Sequence, residues 1–283
     1  MERWTRIAPT PSGRIHLGNL YSFLLTTVFA YQNNHKILLR IDDFDHRRAK
    51  PELVESLFND LKALGLSWDQ GPKNGEELKA EKSQQNFLEE YKRVCLNLLD
   101  RDKAFVCECS RKDIERTTQN GEYPGTCLKK DLEFKETKNS IRLKTQLSAV
   151  QNPNQLMDFY VIFRRDGLPA YQVVSLVEDM KAKINSIVRG TDLYDSTIAQ
   201  LQLADLIGVD FQKTHFYQHD LILGGEGKKL SKSKSDAFLE LKIESIYSEL
   251  ASWMGLSRPK SFAKIEDFLE IDLSKYLKLI DFG

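Results

Sequence analysis

Three groups of side chains have the types and spacing to do chemistry. The first is His16-Leu17-Gly18-Asn19, at the mouth of a long apolar run. The first turn of a helix has free backbone N–H groups and a positive dipole end, so it can hold an anion. Gly18 lets a bulky ligand approach the backbone, and His16 can donate a hydrogen bond to a phosphate oxygen. The same residues can also be a packing feature that ends a loop. The second group is GKKLSKSKS, residues 227–235, where Lys228, Lys229, Lys232 and Lys234 are interleaved with Ser231, Ser233 and Ser235. Lysines bring point charges to phosphates and serines bring hydroxyl donors. The competing reading is a solvated basic loop. The third group is Cys107, Cys109 and Cys127. Three thiolates close in sequence can hold a tetrahedral zinc ion, and a closed four-ligand site would be structural. The alternative is three free thiols in an insertion.

The elements that must position these groups alternate. Residues 3–8 read as a strand, and PTPSG as a loop, because its prolines and glycine propagate neither helix nor strand. Residues 17–34 read as a mostly buried helix stopped by Asn33 and Asn34. KILLRID at 36–42 is a second strand, apolar along nearly all its length as in a covered parallel sheet. This strand–helix–strand unit predicts an α/β fold with a doubly wound parallel sheet of Rossmann type and a right-handed crossover. Pro51 suits the first position of a helix carrying Leu53, Leu57, Leu61 and Leu64. Another helix covers residues 83–102, with Cys95 inside it as a small buried apolar residue. From 103 the texture becomes charged and less periodic, which predicts an inserted subdomain over 103–157 between catalytic halves at 1–102 and 158–235. Residues 236–283 read as a short helical tail.

The chain has 283 residues, enough for one large domain or two ordinary ones. Its 41 lysines and arginines balance 41 aspartates and glutamates, which argues against non-specific coating of nucleic acid but leaves room for a local basic face. The N-terminus lacks the apolar core of a signal peptide, and no run approaches a membrane span. Four cysteines are too few for a disulfide scaffold, so the expected compartment is the reducing cytoplasm.

Taken together, the histidine–glycine and lysine–serine motifs resemble the paired signature of class I aminoacyl-tRNA synthetases. HLGN resembles the first motif, with Asn19 where a histidine is usual, and KLSKS at 229–233 resembles the second closely. RIAPTPSGRIHLGN, LLRIDDFD, LGLSWDQGP and IVRGTDL are similar to their counterparts in glutamyl-tRNA synthetases, in the same order. The resemblance runs from residue 3 to residue 235. It implies a site in which Pro9, His16, Gly18, Lys229, Ser231 and Lys232 bind ATP, with Asn19 beside them in the catalytic motif. Arg6, Asp42, Tyr171 and Arg189 match positions of the amino-acid pocket. Arg189 suits a bidentate grip on a carboxylate. Asp42 departs from the family, which has glutamate there to bind the α-ammonium; aspartate is one methylene shorter.

Family members of full length continue into a large helical anticodon-binding region, which is not expected here. The outline is similar to truncated paralogues that attach glutamate to the queuosine base in the anticodon loop of tRNA(Asp). Cys107, Cys109, Tyr123 and Cys127 resemble the zinc site of those paralogues, with tyrosine as an unusual fourth ligand. A phenol must lose its proton to serve, far below its usual pKa of about 10. The implied reaction is adenylation of glutamate by ATP with Mg2+, then acyl transfer to the RNA by a monomeric, structurally zinc-stapled enzyme. RNA contact is expected from CLKKD and the lysine loop, with stacking on an unpaired base. The rival expectations are a minimal synthetase charging the 3′ end of tRNA(Glu), an inactive nucleotide- or RNA-binding paralogue, and a nucleotidylyltransferase outside tRNA chemistry.

Overall fold

A computed structural model describes residues 2–118, 123–150, 159–221 and 242–280. Along the chain come β1 (Trp4–Ile7), α1 (Leu17–Gln32), β2 (Lys36–Leu39), α2 (Pro51–Ala63), a single turn α3 (Gly75–Glu77), α4 (Leu88–Asp100), β3 (Ala104–Cys107) and α5 (Arg111–Thr117). They are followed by β4 (Ser140–Leu143), β5 (Val161–Phe163), α6 (Tyr171–Lys181), β6 (Ser186–Gly190), α7 (Tyr194–Ile207), β7 (His215–His219), α8 (Ile243–Trp253) and β8 (Lys278–Ile280).

The chain forms two compact units. One takes residues up to Ser83, Lys183–Asp192 and Thr214 onward; the other takes Gln84–Ala182 and Leu193–Lys213. In the first unit β1 and β2 pair in parallel, Trp4 opposite Lys36 and Ile7 opposite Leu39. Parallel neighbours need a crossover, and α1 supplies it. Ten residues of α1 are buried, including Leu20, Leu24, Leu25 and Val28, so no narrow apolar stripe is visible in its sequence. The helix ends as its two asparagines suggest: Asn33 caps it, and Asn34 takes a left-handed φ of 53°. Pro51 stands in the first turn of α2, as expected.

β6 and β7 also pair in parallel, with Gly190 opposite His219. β6 lies beside β1, joined by a hydrogen bond from the Asn185 N–H to the Trp4 carbonyl at 3.1 Å and one from the Trp4 N–H to Asn185 Oδ1 at 3.1 Å. All five residues of β6 are buried, as a strand covered on both faces requires.

Two expectations need correction. Within the expected helical tail at 236–283, the described residues 242–280 hold one α-helix, 3-10 turns and a strand. Ile246, Tyr247, Leu250 and Ala251 of α8 enter the same core as Leu20, Leu24, Leu57 and Leu61. Short 3-10 turns follow, Gln32 of α1 donates to the carbonyls of Leu269 and Ile271, and β8 then pairs antiparallel with β7. The sheet is therefore mixed rather than wholly parallel. The second correction concerns the boundaries drawn at 103 and 157. α4 packs its buried Tyr91, Cys95 and Leu98 inside the second unit. There the Cys95 thiol donates to the Ile162 carbonyl at 3.4 Å and the Tyr91 hydroxyl to Glu178 at 2.8 Å. The second unit thus begins at Gln84 and includes α4, the antiparallel sheet β3-β4-β5, α6 and α7. A change of charge texture marks exposed residues, whereas the unit is defined by its buried ones. No helix among the described residues is long and apolar enough to cross a membrane.

Leu250 has no exposed surface. Leu250→Ala is expected to lower stability by about 2–5 kcal/mol, read as the shift of the urea midpoint; a detached tail would leave it unchanged.

Candidate active site

The loop between β1 and α1 is pinned before it reaches the helix. Arg14 donates to both oxygens of Asp60 on α2, at 2.7–3.1 Å, and Asp60 Oδ2 also accepts the Ile15 N–H at 3.2 Å. His16 is thereby set as the N-cap of α1 with extended backbone angles. Its Nδ1 accepts the Asn19 N–H at 3.3 Å, and Asn19 Oδ1 accepts the His16 N–H at 3.4 Å. The pair is a reciprocal capping box with histidine in the place serine or threonine usually takes. Because Nδ1 accepts, the neutral ring carries its proton on Nε2, which makes Nε2 a donor. Gly18 is what admits the ring: a Cβ there would lie 3.2 Å from both His16 Nδ1 and Cε1. The first turn of α1 has no acidic side chain, so nothing offsets its positive dipole end.

Three of the four residues expected of an amino-acid pocket, Arg6, Asp42 and Arg189, are buried in the first unit. Arg6 is 5% exposed, and its Nη1 donates to the Val188 carbonyl on β6 at 3.4 Å. Arg189 is 2% exposed, with its guanidinium 5.2 Å from the centre of the Phe216 ring. An arginine keeps its charge even there, and its fork matches a carboxylate. Asp42 is 4% exposed and tied by its backbone N–H to the carbonyl of buried Pro9 at 2.9 Å. Its carboxylate is already engaged: Arg40 donates from Nε at 2.7 Å and from Nη2 at 3.3 Å. Asp42 therefore meets any ammonium as half of an ion pair. Arg40 was not singled out from the sequence, although its spacing of two residues from Asp42 on an extended segment places both on one face. Tyr171 is half-buried at the first position of α6 and belongs to the second unit. Lys229, Ser231 and Lys232 lie outside the described residues.

The cysteine cluster lies wholly in the second unit. The Sγ atoms of Cys107, Cys109 and Cys127 lie within 4.8 Å of one another. Cys107 ends β3, and Cys127 lies in the turn closed by the Leu128 N–H on the Gly125 carbonyl. The Tyr123 hydroxyl accepts the Cys127 N–H at 2.8 Å, and Tyr123 packs in one buried cluster with Cys107 and Cys127. Tyr123 packs against Phe105 and Phe159, and the Arg142 guanidinium stacks on its face at 4.0 Å. Burial pushes the Tyr123 phenol well above its usual range. Burial, with a hydrogen bond from Cys127, pushes Cys109 up to about 12. For Cys127 burial acts upward too, but hydrogen bonds from Tyr123, the Glu108 backbone and the neighbouring thiols outweigh it and hold the thiol below its ordinary value. Three soft donors and one oxygen at this spacing fit a tetrahedral zinc ion.

Parallel strands whose C-terminal ends meet a glycine-bearing helix start form a nucleotide-binding arrangement of Rossmann type. The glutamate–tRNA synthetase of Elizabethkingia anophelis has this fold, with a TM-score of 0.76 over 98% of this chain and 67% of its own at 22% identity. The family described as tRNA synthetases class I (E and Q), catalytic domain, matches residues 3–252, and the chain belongs to it. It is 33% identical over 253 residues to the glutamate–tRNA ligase of Buchnera aphidicola, covering 82% of this chain and 51% of the relative. It is 32% identical over 252 residues to the glutamyl-Q tRNA(Asp) synthetase of Nitratidesulfovibrio vulgaris, covering 80% of this chain and 76% of the relative. The chain thus spans about half the length of the glutamate–tRNA ligases it matches.

Arg40→Ala leaves a buried Asp42 carboxylate without its cation and is expected to cost about 3–5 kcal/mol in urea unfolding. The double change Arg40→Met with Asp42→Leu should cost markedly less, because neither charge is then stranded.

Proposed function

We propose that the chain activates glutamate with ATP and transfers the glutamyl group to the queuosine base in the anticodon loop of tRNA(Asp). One observation carries the choice of acceptor: three cysteine thiols gathered around a tyrosine hydroxyl, a donor set that resembles the zinc site of the queuosine-directed paralogues. Relatives named glutamyl-Q tRNA(Asp) synthetase, of which the chain covers about three quarters, support the same reading.

In the first step a carboxylate oxygen of glutamate attacks the α-phosphorus of ATP, and the bond to pyrophosphate breaks. Such a transfer needs positioning and charge stabilisation more than a protein base. His16 Nε2 and the N–H groups beside Gly18 hold phosphate oxygens, with Asn19 keeping the imidazole in its donor tautomer. Pro9 lines the nucleotide's approach. Lys229 and Lys232, with Ser231, neutralise charge as pyrophosphate separates; Mg2+ accompanies ATP. Arg189 grips the side-chain carboxylate of glutamate beside Arg6, the Arg40–Asp42 pair offers the ammonium a carboxylate oxygen, and Tyr171 is a further hydrogen-bonding candidate. In the second step a hydroxyl of the modified nucleoside attacks the acyl carbon and AMP leaves. Cys107, Cys109, Tyr123 and Cys127 would hold zinc, which supplies a structural crosslink to the loop between β3 and β4. The chain works as a monomer in this reading.

Glutamate-dependent ATP–pyrophosphate exchange is expected, with aspartate as the comparison, and Lys232→Ala should lower its rate about 100- to 1,000-fold. Labelled glutamate should pass to tRNA(Asp) carrying queuosine and not to tRNA(Asp) lacking it. Charging at the 3′ end of tRNA(Glu) instead would establish the rival acceptor. Purified protein should hold one zinc ion per chain by elemental analysis, and Cys127→Ser should lose it with a lower thermal midpoint. A full zinc content in Cys127→Ser would remove the cluster from the argument.

A further inference from the structure

His219 is the last residue of β7, opposite Gly190 at the end of β6, and only 3% of it is exposed. Its Nδ1 lies 3.0 Å from the carbonyl oxygen of Asp220. A carbonyl only accepts, so Nδ1 carries the ring proton and Nε2 presents a bare lone pair. Burial lowers the tendency of the ring to take a second proton, against the pull of Asp192 and Asp220, so the ring stays neutral. Nε2 is buried and meets no hydrogen-bond partner among the described residues. Leaving a buried acceptor unmet is destabilising, so native folds supply such atoms with a partner.

The ring is also held in place. Tyr21 of α1, a little over one turn beyond His16, meets it edge-on at 5.0 Å and 75°. A Cβ on Gly190 would lie 3.3 Å from His219 Cε1 and 2.6 Å from Asp192 Oδ1. Glycine at 190 therefore lets the imidazole and the Asp192 carboxylate close over the strand end immediately after Arg189. β6 and β7 are parallel, so both ends lie on one edge of the sheet, the edge where open α/β sheets take their ligands.

We propose that His219 is a substrate-positioning residue whose Nε2 accepts a hydrogen bond from an N–H or O–H of the bound nucleotide or amino acid. The inference rests on the synthetase reading above. Both substrates carry such donors: the adenine amino group and ribose hydroxyls of ATP, and the ammonium of glutamate. A neutral acceptor selects a donor without adding charge beside Arg189, which a carboxylate in the same place would do.

The test uses the whole chain labelled with 15N-histidine, its His219 signals assigned by their loss in His219→Gln. ATP with Mg2+ and glutamate are added separately. The Nε2 resonance is expected to move with one of them, and which one identifies the donor. His219→Leu should raise KM for that substrate about 3- to 10-fold in pyrophosphate exchange, with kcat less affected, and His219→Gln should recover most of the loss because its amide oxygen can accept. Exchange by the wild-type chain with an unmoved Nε2 overturns the inference and leaves the synthetase reading standing. Absence of exchange overturns the synthetase reading and this inference with it. The NMR arm needs no destabilised variant to bind substrate, so a poorly folding His219→Leu does not remove the test.

Discussion

The ion pair between Arg40 and Asp42 sets the terms for the rest of the first unit. Its two side chains are 5% and 4% exposed and meet at 2.7 Å. Taking either from water alone would cost several kcal/mol, so the fold must hold both together. It does so by placing them two residues apart just past the end of β2 and by tying Asp42 to Pro9 through the backbone. Arg6 and Arg189 are buried as deeply or more so on β1 and β6.

The helix start shows how one substitution can be absorbed. Asn19 stands where the family usually has histidine, yet its side-chain carbonyl closes the capping box and its N–H fixes the His16 tautomer. Asparagine is among the best residues for bonding backbone groups locally. The departure changes the side chain at the helix start but keeps the neighbouring histidine oriented. At Asp42 the chain responds differently to a shorter side chain. There Arg40 donates to both carboxylate oxygens, so the shorter acid is held as half of an ion pair.

Much of the frame was legible because it rests on local rules. Asn33 and Asn34 ended α1, Pro51 opened α2, and the apolar KILL segment became a parallel strand. The cysteine cluster was legible from spacing, since Cys107, Cys109 and Cys127 do converge. What escaped depends on packing between distant segments. The role of α4 in the second unit is decided by contacts such as Cys95 with Ile162, which no periodicity reveals. β8 is three residues long, too short for any pattern to announce it. Nothing in the local sequence sets His219 apart; its surroundings come from Gly190 and Tyr21, residues far away in sequence.

β8 has a consequence for how the molecule behaves among its neighbours. A bare β7 would present a row of unpaired N–H and carbonyl groups, and such an edge invites pairing with another chain. β8 covers it antiparallel, and β8 is itself a poor template: short, mostly exposed, and led by Lys278. A lysine on a short edge strand would have to be buried by any strand that added to it. The segment that completes the sheet thereby also discourages its extension into aggregates.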